Sequence, residues 1–331
     1  MPANAYEGRN THEEPLSEYG TLPGLWSQCL RMSPVWANMD RQFQLHKATR
    51  NDGLRQVEPK MTKPYFSSLF ALLLLPSVLV VAETVTFPSG EITLHGVLYK
   101  PEGTGPFPAV IFNHGSAPGM MSEQGFAAVG PVFASHGWVF FGPYRRGQGL
   151  SASVGPYIGD QIAAAKKAGG VSAAAATMVR LLETDHLDDE FAALAWLRKQ
   201  SFVQPNRIAV AGNSFGGIET VLGVERGGYC AGIDSAGGAQ SWAQAPELQS
   251  VMTRAVRNAK APIFFFQAAN DFDLSPSNTL SAEMKKVGKT YKLKIYPSYG
   301  DSSVDGHTFG YYGSAVWAED VFAFLNQYCT K

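Results

Sequence analysis

The sequence predicts an α/β fold built on a mostly parallel sheet, and three observations carry that expectation. Short, nearly continuous apolar runs recur along residues 83–331, as in strands buried on both faces. Helical patterns fall between those runs, the arrangement that covers a parallel sheet with helices on both faces. Glycine-containing polar loops follow the runs at their carboxyl ends, where open α/β sheets place their sites.

Residues 85–87 and 92–99 alternate with period two around Ser89-Gly90 and predict an antiparallel hairpin. Runs at 109–112, 139–141, 208–210, 230–233, 263–266 and 293–296 complete an eight-stranded sheet. Residues 189–199 set apolar side chains at helical spacing behind acidic ones that suit a helix N-terminus, and a last helix is expected over 315–327. Residues 150–187 begin rich in Gly and Ser, turn Ala-rich and are interrupted at Gly169-Gly170. They predict a cap-like insertion over the sheet edge or a plain extended helix.

With 331 residues, 45% hydrophobic and 17% charged, the chain can bury a full core and carries too little charge for a disordered or coiled-coil protein. A net charge of -1 without a Lys/Arg-rich run argues against nucleic acid as a partner. Residues 1–60 lack sustained apolar periodicity, which predicts a disordered extension or a start assigned upstream of the true one at Met61. Lys63, the apolar stretch from Tyr65 and Val80-Val81-Ala82 make 61–82 read as a signal peptide ending on a small residue. The alternative is a membrane anchor over 65–82; six basic against two acidic residues between Arg41 and Lys63 would hold that flank in the cytoplasm. Both readings place the 83–331 domain outside the cytoplasm, whether periplasmic, secreted or anchored. Only Cys230 and Cys329 follow the segment, and the position of Cys230 in an apparent core strand predicts buried or free thiols rather than a bridge.

Chemistry concentrates at Gly212-Asn213-Ser214-Phe215-Gly216, directly after the apolar run 207–211. A serine between glycines at a strand-to-helix corner reads as a nucleophile elbow, in which the strained corner lifts the hydroxyl clear of the backbone. With 34 glycines in the chain, the pentapeptide is a weak signal until its partners are found. A serine hydroxyl needs a base within reach and an acid to orient that base. Asp271 sits on the loop after the 263–266 strand, with Asp273 competing for the same role farther from the strand end, and His307 sits on the loop leaving the last strand. Asn113-His114-Gly115-Ser116 follows the 109–112 strand; the N–H groups of Ser116 and Phe215 are the expected donors to an oxyanion. His114 reads as a structural hydrogen-bonding residue, and Arg146 as a structural ion pair ahead of a clamp for a substrate carboxylate. No phosphate loop, H-E-x-x-H or Cys/His cluster at metal spacing occurs, so neither a cofactor nor a metal is implied.

NHGS at 113–116, YRRGQG at 144–149, RIAVAGNSFGG at 207–217, AAND at 268–271 and GHTF at 306–309 together resemble the dienelactone hydrolase-like and prolyl oligopeptidase-like branch of the α/β-hydrolase superfamily, over residues 84–329. The resemblance implies an α/β-hydrolase fold and a serine hydrolase that cleaves a small-molecule carboxylic ester or similar acyl compound. Ser214 would attack, His307 would take the proton and Asp271 would orient the imidazole. A peptidase or acyltransferase on the same triad, or a catalytically silent binding domain, are the competing readings. Three departures stand out. Ser214 occupies the place of the cysteine in dienelactone hydrolases proper, and no propeller repeat precedes residue 83. The Asp271 loop has one residue more than D-x-x-V-P, which keeps Asp273 open.

Overall fold

Period-two alternation yields a hairpin: β1 (Glu83–Ser89) pairs antiparallel with β2 (Ile92–Tyr99), Ser89 lying opposite Ile92. These strands open a computed structural model that describes residues 81–121 and 123–330. The expectations for 1–60 and for an export signal or anchor at 61–82 fall outside the described residues, apart from Val81 and Ala82. Among the described residues no helix is long and apolar enough to cross a membrane.

β2 pairs antiparallel with β4 (Val139–Pro143). From there β3 (Phe107–Asn113), β5 (Val203–Asn213), β6 (Gly232–Ser235), β7 (Ile263–Ala268) and β8 (Tyr291–Tyr296) run parallel, in the order β1-β2-β4-β3-β5-β6-β7-β8. This is the eight-stranded, mostly parallel sheet that the apolar runs predict. At its carboxyl edge Asn113 lies beside Gly212, and Asn213 beside Ser235, so three strand ends meet where chemistry is expected.

Alternation within the buried strands sends side chains to both faces. Ile111, Phe141 and Phe265 join a cluster with residues of α3 (Asp185–Leu197), α4 (Phe215–Arg226), α5 (Pro246–Arg257) and α6 (Ser275–Lys286), among them Leu194, Leu222 and Met252. Their neighbours Phe112 and Phe140 pack on Phe126 of α1 (Glu123–Ser135), while Phe264 and Phe266 meet Phe324 and Trp317 of α9 (Ser314–Tyr328). Burial at about 1.5–3 kcal/mol for each large apolar side chain holds both helical layers to the sheet. Residues 150–187 fold mainly as α2 (Ile158–Glu183), whose backbone leaves helical geometry at Gly169 and Gly170, the latter at φ 78°. Beyond that break, Ala174, Ala175, Met178, Leu181 and Leu182 are buried.

Cys230 is not in a core strand, since β6 begins at Gly232. Its sulfur is bonded to that of Cys329 just beyond α9, with the Cα atoms 5.1 Å apart. The expectation of thiols is therefore corrected: the last helix brings the chain end back to the start of β6, a meeting that no spacing in the sequence encodes. Arg207 Nε donates to the Cys329 carbonyl at 2.7 Å and fixes the same end. The bridge spans 99 residues, a long loop in which cross-linking restricts the unfolded chain strongly. Reduction of the folded protein is expected to lower its unfolding free energy by about 2–4 kcal/mol, read as the shift of the urea midpoint. Mass spectrometry of unreduced digests should recover the Cys230 and Cys329 peptides joined.

Candidate active site

β5 ends at Asn213 and α4 begins at Phe215, leaving Ser214 alone to turn the chain from strand to helix. Its backbone lies at φ 60°, ψ -121°, a conformation that costs a non-glycine residue about 1–3 kcal/mol. Hydrogen bonds hold it there: Ser214 N–H donates to the Ser235 carbonyl at 3.0 Å, and the Ser214 carbonyl accepts from Gly217 at 2.9 Å and Ile218 at 3.2 Å. The flanking glycines are required by close approach. A Cβ at Gly216 would overlap the Asn113 carbonyl, and one at Gly212 would overlap the Gly216 carbonyl.

His307 ends α7 (Ser303–His307), a single turn whose capping box pairs Ser302 with Asp305 and which is followed by the short α8 (Phe309–Tyr312). Its Nε2 lies 2.9 Å from Ser214 Oγ and its Nδ1 2.8 Å from Asp271 Oδ1. Asp271 stands on the loop between β7 and α6, where Gln267 Nε2 donates to its Oδ2 at 2.7 Å and the Phe272 N–H to its Oδ1 at 2.7 Å. Histidine and aspartate side chains are 2% and 0% exposed, so their hydrogen bond is shielded from water. With Nδ1–H engaged by the carboxylate, Nε2 is left as an acceptor facing the serine hydroxyl. Asp273 turns away and accepts the Ser275 N–H at 2.8 Å at the start of α6. Of the two candidate acids, the structure brings Asp271 to the histidine.

The loop after β3 runs beside the elbow, where a Cβ on Gly115 would crowd the Ser214 Cβ at 3.2 Å. Its backbone polar groups are taken one after another. The His114 carbonyl accepts from Arg145 Nη2 at 2.7 Å, the Gly115 N–H donates to Tyr311 Oη at 2.9 Å, and the Gly115 carbonyl accepts from His114 Nδ1 at 2.7 Å. The Ser116 carbonyl accepts from the Tyr157 hydroxyl. The Ser116 N–H has no backbone partner among the described residues, and the Phe215 N–H has none outside its own helix. His114 is buried and held in its neutral form, its pKa lowered well below the ordinary value by desolvation and by the Arg145 charge. It is a structural residue. Arg146 is structural as well: Nε and Nη2 grip the Asp189 carboxylate at 3.0 and 2.7 Å, and Nη1 lies 3.3 Å from Asp185.

Asn113, Asn213 and Asn270 lie within motifs read from the sequence, but their supporting roles are not visible there, because each partner comes from a distant element. Asn113 Nδ2 donates to Glu190 Oε2 at 2.6 Å and the Tyr229 hydroxyl to Glu190 Oε1 at 2.8 Å, bracing the β3 end beneath the elbow. Asn213 Nδ2 donates to the His307 carbonyl at 3.1 Å while Ser235 Oγ donates to Asn213 Oδ1 at 3.0 Å. Asn270, next to the acid, donates to the carbonyls of Tyr299 and Ser302 on the histidine loop at 2.9 and 2.7 Å. Among the described residues no group of three or more His, Cys, Asp or Glu side chains could hold a metal ion.

The model of the dienelactone hydrolase family matches residues 94–328. The chain belongs to the dienelactone hydrolase family. It is a hydrolase with the α/β-hydrolase fold, as the motifs and the sheet order lead one to expect. Among solved structures it is similar to the acylaminoacyl peptidase of Pyrococcus horikoshii at 18% identity and TM-score 0.54, over 78% of this chain and 44% of that one. It is also similar to a propionate-bound esterase, Est2, of the planctomycete Thermogutta terrifontis, at 17% identity and TM-score 0.52, over 76% of this chain and 96% of that one. Dipeptidyl peptidase 4 of Porphyromonas gingivalis matches at 17% identity and TM-score 0.52, over 74% of this chain and 35% of that one. The chain thus spans less than half the length of the peptidases, and these likenesses are ones of fold. No curated protein sequence matches the chain significantly.

Burial beneath the elbow makes one group of this family member sensitive to pH. Desolvation pushes Glu190 up to about 8 although the Tyr229 and Asn113 hydrogen bonds pull the other way. The native state therefore holds this proton where the unfolded chain, titrating near 4.5, has released it. The contribution of this group to stability is full below pH 4.5 and falls as pH rises toward 8, since folding then takes up a proton. Glu190→Gln keeps a neutral group in place, and thermal denaturation should show a flatter decline between pH 5 and 8, with a gain of a few kcal/mol at the alkaline end.

Proposed function

We propose that this protein is a serine hydrolase that cleaves a small-molecule carboxylic ester through an acyl-enzyme. The reading is carried by one observation, the continuous hydrogen-bonded chain from Ser214 Oγ through His307 to Asp271 at 2.9 and 2.8 Å. Ser214 Oγ attacks the ester carbonyl as its proton passes to His307 Nε2, and Asp271 holds the imidazole in the productive tautomer while stabilising the cation that forms. The negative charge on the carbonyl oxygen is met by the Ser116 and Phe215 N–H groups. Proton return from His307 releases the alcohol, water then attacks the acyl-enzyme with His307 again as base, and the acid leaves. Arg146 is occupied by Asp189 and Asp185 and so is not free to clamp a substrate carboxylate.

We propose further that the domain works outside the cytoplasm. The Cys230–Cys329 bridge supports this reading, since disulfides persist in oxidising compartments, as does the apolar stretch at 65–82 behind a basic flank. Amino-terminal sequencing of the natural protein tests it: a mature chain starting near Glu83 is expected, and a cytoplasmic chain retaining residues before Met61 would overturn it.

Removal of the nucleophile as Ser214→Ala is expected to lower p-nitrophenyl ester turnover by about 10⁴–10⁶-fold and to abolish fluorophosphonate labelling. Between the acids, Asp271→Asn should cost about 10⁴-fold in kcat while Asp273→Asn stays within about threefold of wild type. A panel of esters beside aminoacyl amides decides the bond. Comparable rates on both would move the assignment to a peptidase, and folded protein whose Ser214 takes no fluorophosphonate label would move it to a silent binding domain.

A further inference from the structure

We propose that the buried Arg145–Glu219 ion pair is a positioning device that sets the spacing of the two oxyanion donors, an inference that rests on the serine-hydrolase reading of the site. The donors belong to different elements. Phe215 opens α4, whereas Ser116 lies on the loop after β3, and a shift of either would spoil a geometry that works only when both N–H groups converge on one oxygen.

Arg145 joins the two. Standing on the loop after β4, it directs Nη1 to the Glu219 carboxylate on α4, the helix that Phe215 begins. Its Nη2 turns to the other side and donates to the His114 carbonyl at 2.7 Å, with Ser116 Oγ at 3.3 Å and Gln148 Oε1 at 3.5 Å. Its own backbone N–H faces His114 Nε2 at 3.4 Å. One rigid guanidinium plane therefore grips the nucleophile helix with one nitrogen and the oxyanion loop with the other. The Ser116 hydroxyl adds a tie by donating to Gln148 Oε1 at 3.2 Å, and Gln148 belongs to the same loop as Arg145.

Stability alone is a poor reason for this arrangement. The two side chains are 3% and 0% exposed, and apolar residues of similar volume commonly replace such pairs without loss of stability. What an apolar pair lacks is direction. A planar fork with nitrogens at fixed separation sets a distance between two elements, and a lysine, with one charge on a flexible stem, can serve only one side at a time.

The test compares Arg145→Lys with the double variant Arg145→Met/Glu219→Leu, which leaves no unpaired buried charge and so guards against a variant that fails to fold. Rates on a p-nitrophenyl ester are normalised to active sites titrated with a fluorophosphonate, and affinity is measured for a trifluoromethyl ketone, whose adduct with Ser214 carries an oxyanion. The expected result is a fall of about 10²-fold in kcat per active site, KM within about threefold, and ketone affinity weakened by the same factor as kcat. Folded variants with wild-type kcat per site and wild-type ketone affinity would overturn the inference, as would a loss confined to thermal stability and the number of active sites. A wild-type protein whose Ser214 takes no label would overturn the serine-hydrolase reading, and this inference with it, whereas full wild-type activity beside unaffected variants sinks the clamp alone.

Discussion

The contact between the Asn113 carbonyl and Gly216 sets the limit on everything at this sheet edge. The end of β3 lies so close to the first turn of α4 that no side chain fits between them, and the chain must pass from β5 into that helix through Ser214 alone. A single residue can make that passage only with φ near +60°, which disfavours any residue with a Cβ. The strain is offset locally by three backbone hydrogen bonds and by the helix that starts at once behind it. Because the turn has no slack, the backbone fixes the direction of the Ser214 Cα–Cβ bond from which the hydroxyl hangs. The histidine and the neighbouring loop have to be brought to it.

How they are brought explains why so many polar groups are buried here. Arg145, Asp189, Glu190, Glu219 and Asp234 are each 2% exposed or less, a concentration of ionisable side chains that an interior built only for stability avoids. All but Asp234 tie elements that apolar packing would leave free to slide. Asp189 on α3 accepts the Ser89 hydroxyl at 2.7 Å and the Arg146 N–H at 2.9 Å, fastening the amino-terminal hairpin to the loop after β4. Glu190, its neighbour on the same helix, reaches Asn113 under the elbow. Asp234 at the end of β6 accepts the Gly237 N–H at 2.9 Å, and desolvation pushes its carboxyl up to about 7. Directional bonds hold angles as well as distances, which dispersion forces between hydrocarbon side chains do poorly.

These two layers differ in how far the sequence reveals them. Strands buried on both faces require unbroken apolar runs and the opening hairpin alternates with period two, so the eight strands and the loops at their carboxyl ends could be read directly, and with them Ser214, Asp271, His307 and the 113–116 loop. Supporting residues are hidden because their meaning lies in a partner far along the chain. Arg145 and Arg146 are identical neighbours in sequence, yet one faces Glu219 and the other Asp189, depending on which side of the loop each side chain leaves. Cys230 and Cys329 look unrelated until α9 has packed on the sheet. Asp271 and Asp273 were closer to legible. A carboxylate two residues before a helix's first N–H groups is a natural cap, and Asp273 takes that task.

The last element to be placed is the one with the loosest local hold. His307 sits on a single turn after β8, and one turn of helix is unstable alone. Its position depends on asparagines belonging to the other two corners of the site. Asn270, adjacent to Asp271, bonds to the backbone of Tyr299 and Ser302 at both its amide nitrogen and its carbonyl oxygen, and so locks the acid loop to the histidine loop. Asn213, adjacent to Ser214, holds the His307 carbonyl. The residue before the serine and the residue before the aspartate thus both grip the histidine segment, which makes the serine–imidazole and imidazole–carboxylate distances parts of one rigid triangle. In the serine-hydrolase reading proposed above, the Ser214 proton can then pass to His307 without the side chains first reorganising, and this is the condition under which fixed dipoles lower a barrier instead of following the charge.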